Sequence, residues 1–386
     1  MDVSELLALV PAEWLEELAV NTNVDHQVKK LNGPLMFRLC LMTMLNHQQC
    51  SLRVMEQMLA RSVKLKTLHP DPVPPCRHTS ISDRLATMNV EYFAQLFDRI
   101  FQLFNRQLGE QQELARIDST CVTFTAKLLH TGLAHKGSAG NLRSIKHTVS
   151  LVGSLPADVV MMVEPQFTNE NRALGAVLDR QPQERVSVVD RGFNSRQRFD
   201  RLTDNKQCFI ARHNDKISIS ERQDRACPAP PSDAELTITA DYTGRPNDRN
   251  HKLTAHRYRV IRGTRHRDSK TFTFITNLLD RDPYELAALY RRRWDIEVFF
   301  KFLKQHLNFK HLVSRHPNGI AVMLYMTMIT ACLILAYRKL NRIQYPKYAK
   351  LQFTLELDAL IIQDLIRLCG GDPAKAAHLW PNRSKS

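Results

Sequence analysis

A chain of 386 residues, 43% of them hydrophobic, has room for about two to four structural units and is too apolar to remain a disordered coil. Lys and Arg number 54 against 39 Asp and Glu, and the formal net charge of +15 points to a polyanionic partner. The eight cysteines (Cys40, Cys50, Cys76, Cys121, Cys208, Cys227, Cys332, Cys369) include no C-x-x-C pair and no His at zinc-finger spacing. A disulfide scaffold and a zinc finger are thereby excluded, leaving the reduced thiols of a cytosolic protein.

The first segment, MDVSELLALV, carries an acid at once and no basic run, so no secretory leader is expected. Residues 1–110 read as an all-α domain: Glu13 to Val20, LMFRLCLMTML, SLRVMEQMLA after a Cys-Ser cap, SISDRLATM, and VEYFAQLFDRIFQLF. A Pro-rich connector, HPDPVPPCRH, divides the set. Two readings are open for these helices. They form a helix-turn-helix with Arg77, His78, Ser80 and Arg84 near DNA, or a bundle that braces the rest.

From Glu113 the pattern changes to strands. ELARIDSTCVTF, SIKHTVSLV and DVVMMVEPQF form a meander, followed by a helix from Glu170 to Leu178, the strand VSVV, a helix from Ser195 to Leu202 and the strand CFIAR. Asp118 interrupts the first strand, and a carboxylate inside a buried strand is costly unless it is paired or binds metal. Asp190 ends the fourth strand, where open α/β sheets bind ligands, although an Asp beside a Gly turn is by itself more often a cap. Lys146 and His147 on the second strand either face a cleft or belong to an ordinary polar strand face.

Residues 213–280 are too long for a simple connection and read as an inserted β-rich unit: KISIS, ELTITADY, AHRYRVIR and TFTFITNLL, with CPAPPSD and TGRPND as turns. From Arg249 to Arg267 there are seven Lys or Arg and no carboxylate. Arg257 and Arg259, with Tyr258 between them, suit a DNA backbone or a splayed strand; the competing reading is a solvated basic edge. Any base stacked in this insertion would rest on Tyr242 or Tyr258, because it holds no Trp.

The segment LYRRRWDIEVFFKFLKQHL, residues 289–307, places Tyr290, Arg293, Glu297 and Lys304 within an arc of about 60° on one helix face. Ile296, Phe300, Leu303 and Leu307 form the neighbouring apolar stripe, which would anchor the helix. Asp295 falls on the opposite side, as a surface residue or structural partner. Lys301 adds a further cation beside Glu297. A carboxylate among phosphate-binding groups is what phosphoryl transfer on nucleic acid requires. The bland alternative is a solvated helix laced with ion pairs.

Tyr290, two residues, Arg293, three residues, Glu297, six residues and Lys304 resemble the signature helix of insertion-sequence transposases of the DDE type. Asp118 and the Asp190-Arg191-Gly192-Phe193 run match the family's first and second acids. The resemblance covers about residues 113–315 and implies an α/β, RNase H-like mixed-sheet core interrupted by the β-rich insertion. It implies two Mg²⁺ ions, with Mn²⁺ able to substitute, bridged by Asp118 and bound one each by Asp190 and Glu297. Tyr290, Arg293, Lys304, Lys301 and Arg191 would grip DNA phosphates, with Lys146 and the insertion's Arg257, Tyr258 and Arg259 as further contacts. The reaction would be strand cleavage at element ends and strand transfer into target DNA, with DNA as partner, a homodimer pairing two ends, and a bacterial, nucleoid-associated cytoplasmic location. A nuclease without strand transfer and a catalytically silent DNA-binding descendant are the rivals.

GIAVMLYMTMITACLILAY, residues 319–337, lacks any charge and is long enough for a bilayer, but beside such a motif it reads as a buried helix in the second core segment, residues 281–340. Residues 341–386 carry an amphipathic helix, LELDALIIQDLIRLC, that either pairs two copies or caps its own core. No glycine loop for a nucleotide is present, so ATP is not implied.

Overall fold

The structure is a computed structural model that describes residues 10–47, 49–69, 71–110, 113–125, 132–134, 142–192, 195–213, 218–247 and 252–375, with Val3 and Leu6. Among the described residues six helices come first: α1 (Ala12–Asn21), α2 (Gly33–Asn46), α3 (Leu52–Arg61), α4 (Val63–Leu68), α5 (His78–Thr87) and α6 (Val90–Leu108). Capping explains their starts. Asn32, Ser51, Ser62 and Asn89 each accept a backbone N–H of the first turn. Gly109, at φ 56°, ends α6.

A mixed sheet follows: β1 (Leu114–Thr125), β2 (Leu133–Ala134), β3 (Leu142–Val152), β4 (Leu155–Met162), β5 (Val186–Val189), β6 (Cys208–Arg212), β7 (Ile219–Asp224), β8 (Leu236–Pro246), β9 (Tyr258–Arg265) and β10 (Thr271–Thr276). Its order is β2-β3-β1-β5-β6-β10-β9-β8-β7, with β4 on the other edge of β3. Strands β1, β3 and β4 are the antiparallel meander, while β1–β5 and β5–β6 are parallel. The crossovers are α7 (Glu170–Leu178) and α8 (Arg196–Asp204). Three antiparallel strands followed by two parallel ones is the RNase H-like order expected. Two details differ from the sequence reading: PQF of the third segment turns as a 3₁₀ helix at Pro165–Thr168, and β2 went unforeseen.

The inserted segment is not a separate body. Strand β10 pairs with β6, and β9, β8 and β7 continue the same sheet outward. Asp200 on α8 fastens it further, accepting the backbone N–H of Ala255 and His256 at 2.9 and 3.2 Å and the Tyr258 hydroxyl at 2.9 Å. Strand β8 also runs to Pro246, through most of the expected TGRPND turn.

Helices α9 (Pro283–Arg291), α10 (Trp294–His306), α11 (Pro317–Leu340) and α12 (Pro346–Leu368) complete the described chain. Helix α11 is long and apolar enough to cross a bilayer, yet 89% of its most apolar window is buried within the protein. It packs against α2, α5 and α6 on one side and β4 and α12 on the other, so one hydrophobic core joins the N-terminal helices to the sheet. Arg84, expected near DNA, instead holds Asp25 at 2.9 Å and the carbonyls of Leu31 and Val24, and His78 meets Glu56 at 2.9 Å. The bracing role of the bundle is thus visible. Helix α12 buries Ala349, Phe353, Leu357 and Ile361 against the core but leaves Tyr348, Leu351, Leu355 and Ile362 exposed.

Arg259 and Asp241 form the most secluded ion pair of the insertion, with Nε–Oδ1 at 2.9 Å and Nη2–Oδ2 at 2.6 Å and both residues buried. Removing one partner strands the other charge. Asp241→Ala is expected to lower unfolding free energy by about 3–5 kcal/mol in urea titrations, with Asp224→Ala, on the exposed edge strand, changing it by less than about 1 kcal/mol.

Candidate active site

One face of β1 organises the site. Arg116, Asp118 and Thr120 alternate along it at roughly 6.6 Å per step, and the helix α10 lies across that face. Arg116 Nη1 donates to Asp295 at 2.9 Å, Asp118 Oδ2 lies 3.7 Å from Arg293 Nη1, and Lys304 Nζ donates to Thr120 Oγ1. Asp190 directly follows β5, whose parallel pairing with β1 ends at Arg116 opposite Val188, two residues before Asp118 on one strand and two before Asp190 on the other.

Glu297 enters from the first turn of α10, where Arg293 Nη2 donates to its Oε1 at 2.5 Å. Arg293 is thus the hub of the cluster, in contact with Asp118 and Glu297 and inside the field of Asp190. Burial disfavours its charge, but the Glu297 hydrogen bond and the charges of Asp190 and Glu297 prevail and hold its pKa above the ordinary value. Burial, and then the Asp190 charge, push the Tyr290 phenol up to about 12. Tyr290 stacks on Phe274 with centroids 5.6 Å apart, and the Arg293 charge counteracts part of that rise.

The expected single helix over residues 289–307 is corrected to two. Helix α9 ends at Arg291 and α10 begins at Trp294. Across the junction Arg293 N bonds Tyr290 O at 3.0 Å and Ile296 N bonds Arg293 O at 3.2 Å, a tighter three-residue pattern. The backbone stays helical, with φ −63° at Arg292 and −53° at Arg293, so Tyr290 remains beside Arg293. Ile296, Phe300, Leu303 and Leu307 are buried, as the stripe predicts, and Lys301 is exposed.

Donor chemistry supports a hard cation here. Asp190 Oδ1 is buried with no hydrogen-bond partner among the described residues, the kind of oxygen that an ion or a cation must satisfy. As placed, the acids of the described residues do not close into a three-ligand cluster, because Arg293 stands among them.

Several expected DNA contacts lie elsewhere. Tyr258 is fully buried between Phe199 and Phe209, so it offers no face to a base. Arg259 is spent on Asp241 and on the carbonyls of Leu279 and Arg281. Arg257 pairs with Glu221 at 3.4 Å, and Arg222 covers the Tyr242 ring at 4.0 Å. Three cations of the basic stretch, Arg257, Arg259 and Arg265, are thus paired with acids of the insertion itself; a sequence count of cations cannot see partners across strands. Lys146 pairs with Cys121 in the sheet, on the face away from Asp118, and reaches the Thr168 carbonyl at 3.5 Å. Arg191 is exposed directly after Asp190, and Phe193 lies outside the described residues.

Two residues escaped the sequence reading, Arg116 and Thr120. Their signal was the period of two around Asp118, which puts both on the acid's own face. His147 pairs with Thr120 on that face and is buried against Phe309.

Comparison with known proteins shows the family. Residues 111–333, more than half of the chain, match the family described as the transposase DDE domain. A protein named as a probable transposase of insertion sequence element IS5377 from Geobacillus stearothermophilus is 26% identical over 269 residues, covering 68% of this chain and 67% of its own. A protein bearing the transposase name y4zB from Sinorhizobium fredii is 26% identical over 289 residues, covering 73% and 77%. Among solved structures, a piggyBac transposase synaptic complex with hairpin DNA aligns with a TM-score of 0.46 at 10% identity, over 100% of this chain and 86% of that one.

Burial, and then Lys304, drive the His147 pKa down to about 3. Below about pH 6.5 the unfolded imidazole takes up a proton that the folded one refuses, so stability falls with falling pH by up to about 1.4 kcal/mol per unit. Replacing His147 with Phe should flatten the stability profile by that slope between about pH 6.5 and 5, read by chemical denaturation at stepped pH.

Proposed function

The chain belongs to the transposases with a DDE domain, and we propose that it cuts DNA at the ends of its insertion sequence and joins those ends to target DNA by metal-dependent phosphoryl transfer. The observation that carries this reading is the meeting of Asp118 and Glu297 on one guanidinium, with the unpartnered oxygen of Asp190 in its field. Asp118, Asp190 and Glu297 are the hard oxygen ligands that would hold two divalent ions, Mg²⁺ or Mn²⁺, whose chemistry stabilises both the attacking and the leaving oxygen at phosphorus. The protein itself supplies no nucleophile; water or a DNA 3′-hydroxyl attacks.

Its own side chains position the substrate. Tyr290, Arg293 and Lys304 line the acids and grip phosphates near the scissile bond, while the exposed Lys301 and Arg191 extend that grip outward. Burial lowers the Lys304 pKa, and Lys310 adds to the effect. A DNA phosphate at its ammonium would act in the opposite direction and favour the charged form. Pairing two element ends calls for two copies of the chain, and the exposed apolar row Tyr348, Leu351, Leu355 and Ile362 is our candidate for their contact. A bacterial cytoplasmic, nucleoid-associated location follows from such a substrate.

The test is Mg²⁺-dependent cleavage of DNA that carries the element's own ends. Asp118→Ala, Asp190→Ala and Glu297→Ala are each expected to abolish cleavage while end binding in gel shifts persists. An acid whose loss leaves cleavage intact is not a metal ligand. Nicked product without joined product in the wild type would support a nuclease, and binding without cleavage a silent descendant. Lys301→Ala should reduce the slope of log affinity against log salt by about one, the signature of one lost phosphate contact, with cleavage at saturating DNA unchanged.

A further inference from the structure

Arg116 is 1% exposed, a guanidinium in the middle of a sheet. Its Nε and Nη2 donate to the Leu151 carbonyl at 3.2 and 3.1 Å, and Nη2 also meets the Gly153 carbonyl. Gly153, at φ 56°, is the left-handed turn between β3 and β4, held in turn by Glu110, which accepts from Ser154 Oγ at 2.7 Å and meets Lys339 of α11 at 2.9 Å. The remaining arm, Nη1, reaches Asp295 at 2.9 Å. A buried cation so placed has no water to replace a lost partner, so Asp295 cannot drift without stranding it.

The two ends of this pair are set symmetrically about the candidate ligands. Arg116 precedes Asp118 by two residues on the same strand face, and Asp295 precedes Glu297 by two in the same helical turn. Beyond Glu297, Lys304 makes a second attachment to Thr120. Glu297 thus lies between two fastenings of α10 to β1. At the tightened junction with α9 the hydrogen-bond pattern changes, so the first turn of α10 is where attachments to β1 add to what the backbone sets.

We propose that Arg116 and Asp295 are a positioning pair, which fixes the rotation of α10 and so sets how Glu297 approaches Asp118 and Asp190. The inference rests on the reading of those acids as metal ligands. Neither residue touches substrate; each acts through Glu297. A displacement of about 1 Å at a reacting centre costs on the order of 100-fold in rate, and a pair that controls it should behave accordingly.

The test compares the full-length wild type with Asp295→Asn and Asp295→Glu, chosen because Asp295 is half exposed on its carboxylate side and both changes are small. Direct calorimetric titration of MnCl₂ is measured alongside melting temperature, end binding and cleavage at saturating DNA. Expected is a loss of at least about tenfold in Mn²⁺ affinity and about 100-fold in cleavage for Asp295→Asn, with end affinity held. Asp295→Glu, which keeps the charge, should regain most of the Mn²⁺ affinity whatever its melting temperature. A merely structural pair would shift melting and leave Mn²⁺ affinity in both folded variants at the wild-type value; that result overturns the proposal. Wild-type protein that binds no Mn²⁺ and cleaves nothing would overturn the metal-ligand reading itself, and this inference with it.

Discussion

A buried strand that carries charge has to be answered by charge, and β1 carries two such residues in alternation. Arg116 and Asp118 share a face that in an ordinary sheet would hold Val or Ile, with the hydroxyl of Thr120 completing the row. The cost of desolvating them is offset only because α10 presents Asp295, Arg293 and Lys304 at matching points. Strand and helix are therefore specified together. The placement of Glu297 follows from a pairing problem in the core as much as from anything at the surface.

The parallel pairing of β1 with β5 does the complementary work for Asp190. Asp190 directly follows the short β5, which runs parallel to the first residues of β1, and Asp118 lies within β1 two residues past the last of those pairs. The crossovers α7 and α8 bury Leu174, Val177, Leu178, Phe199 and Leu202 in the same core as Ile117 of β1. Glu297, on a helix that begins at a change of hydrogen-bond pattern, is the member of the three whose position depends on side-chain attachments.

Much of this was legible in the residues. Alternation and strand-forming runs located β1, β3, β4, β5 and β6, and the i, i+3, i+4 rows located α10 and its buried stripe. What failed did so for identifiable reasons. The angular count over residues 289–307 assumes one continuous helix and cannot register a tightened turn at Arg292 and Arg293. Tyr258 and Arg259 looked exposed because their partners, Asp200 and Asp241, are 58 and 18 residues away and are brought close only by strand register and by docking on α8. Arg116 was overlooked because a lone Arg in a strand ordinarily signals an edge, and its acceptors are two backbone carbonyls that no composition reveals. Local periodicity finds elements; partners across the sheet decide what each polar side chain is for.

The position of α11 has a consequence for how such a chain diversifies. Its apolar surface is shared by helices from the beginning of the polypeptide and by the meander at the heart of the sheet, within one hydrophobic core. Shuffling of gene fragments at residue 110 would join halves whose mating surfaces had changed independently. Change in such a chain is thus better accommodated in solvent-facing loops than by exchange of a ready-made front module.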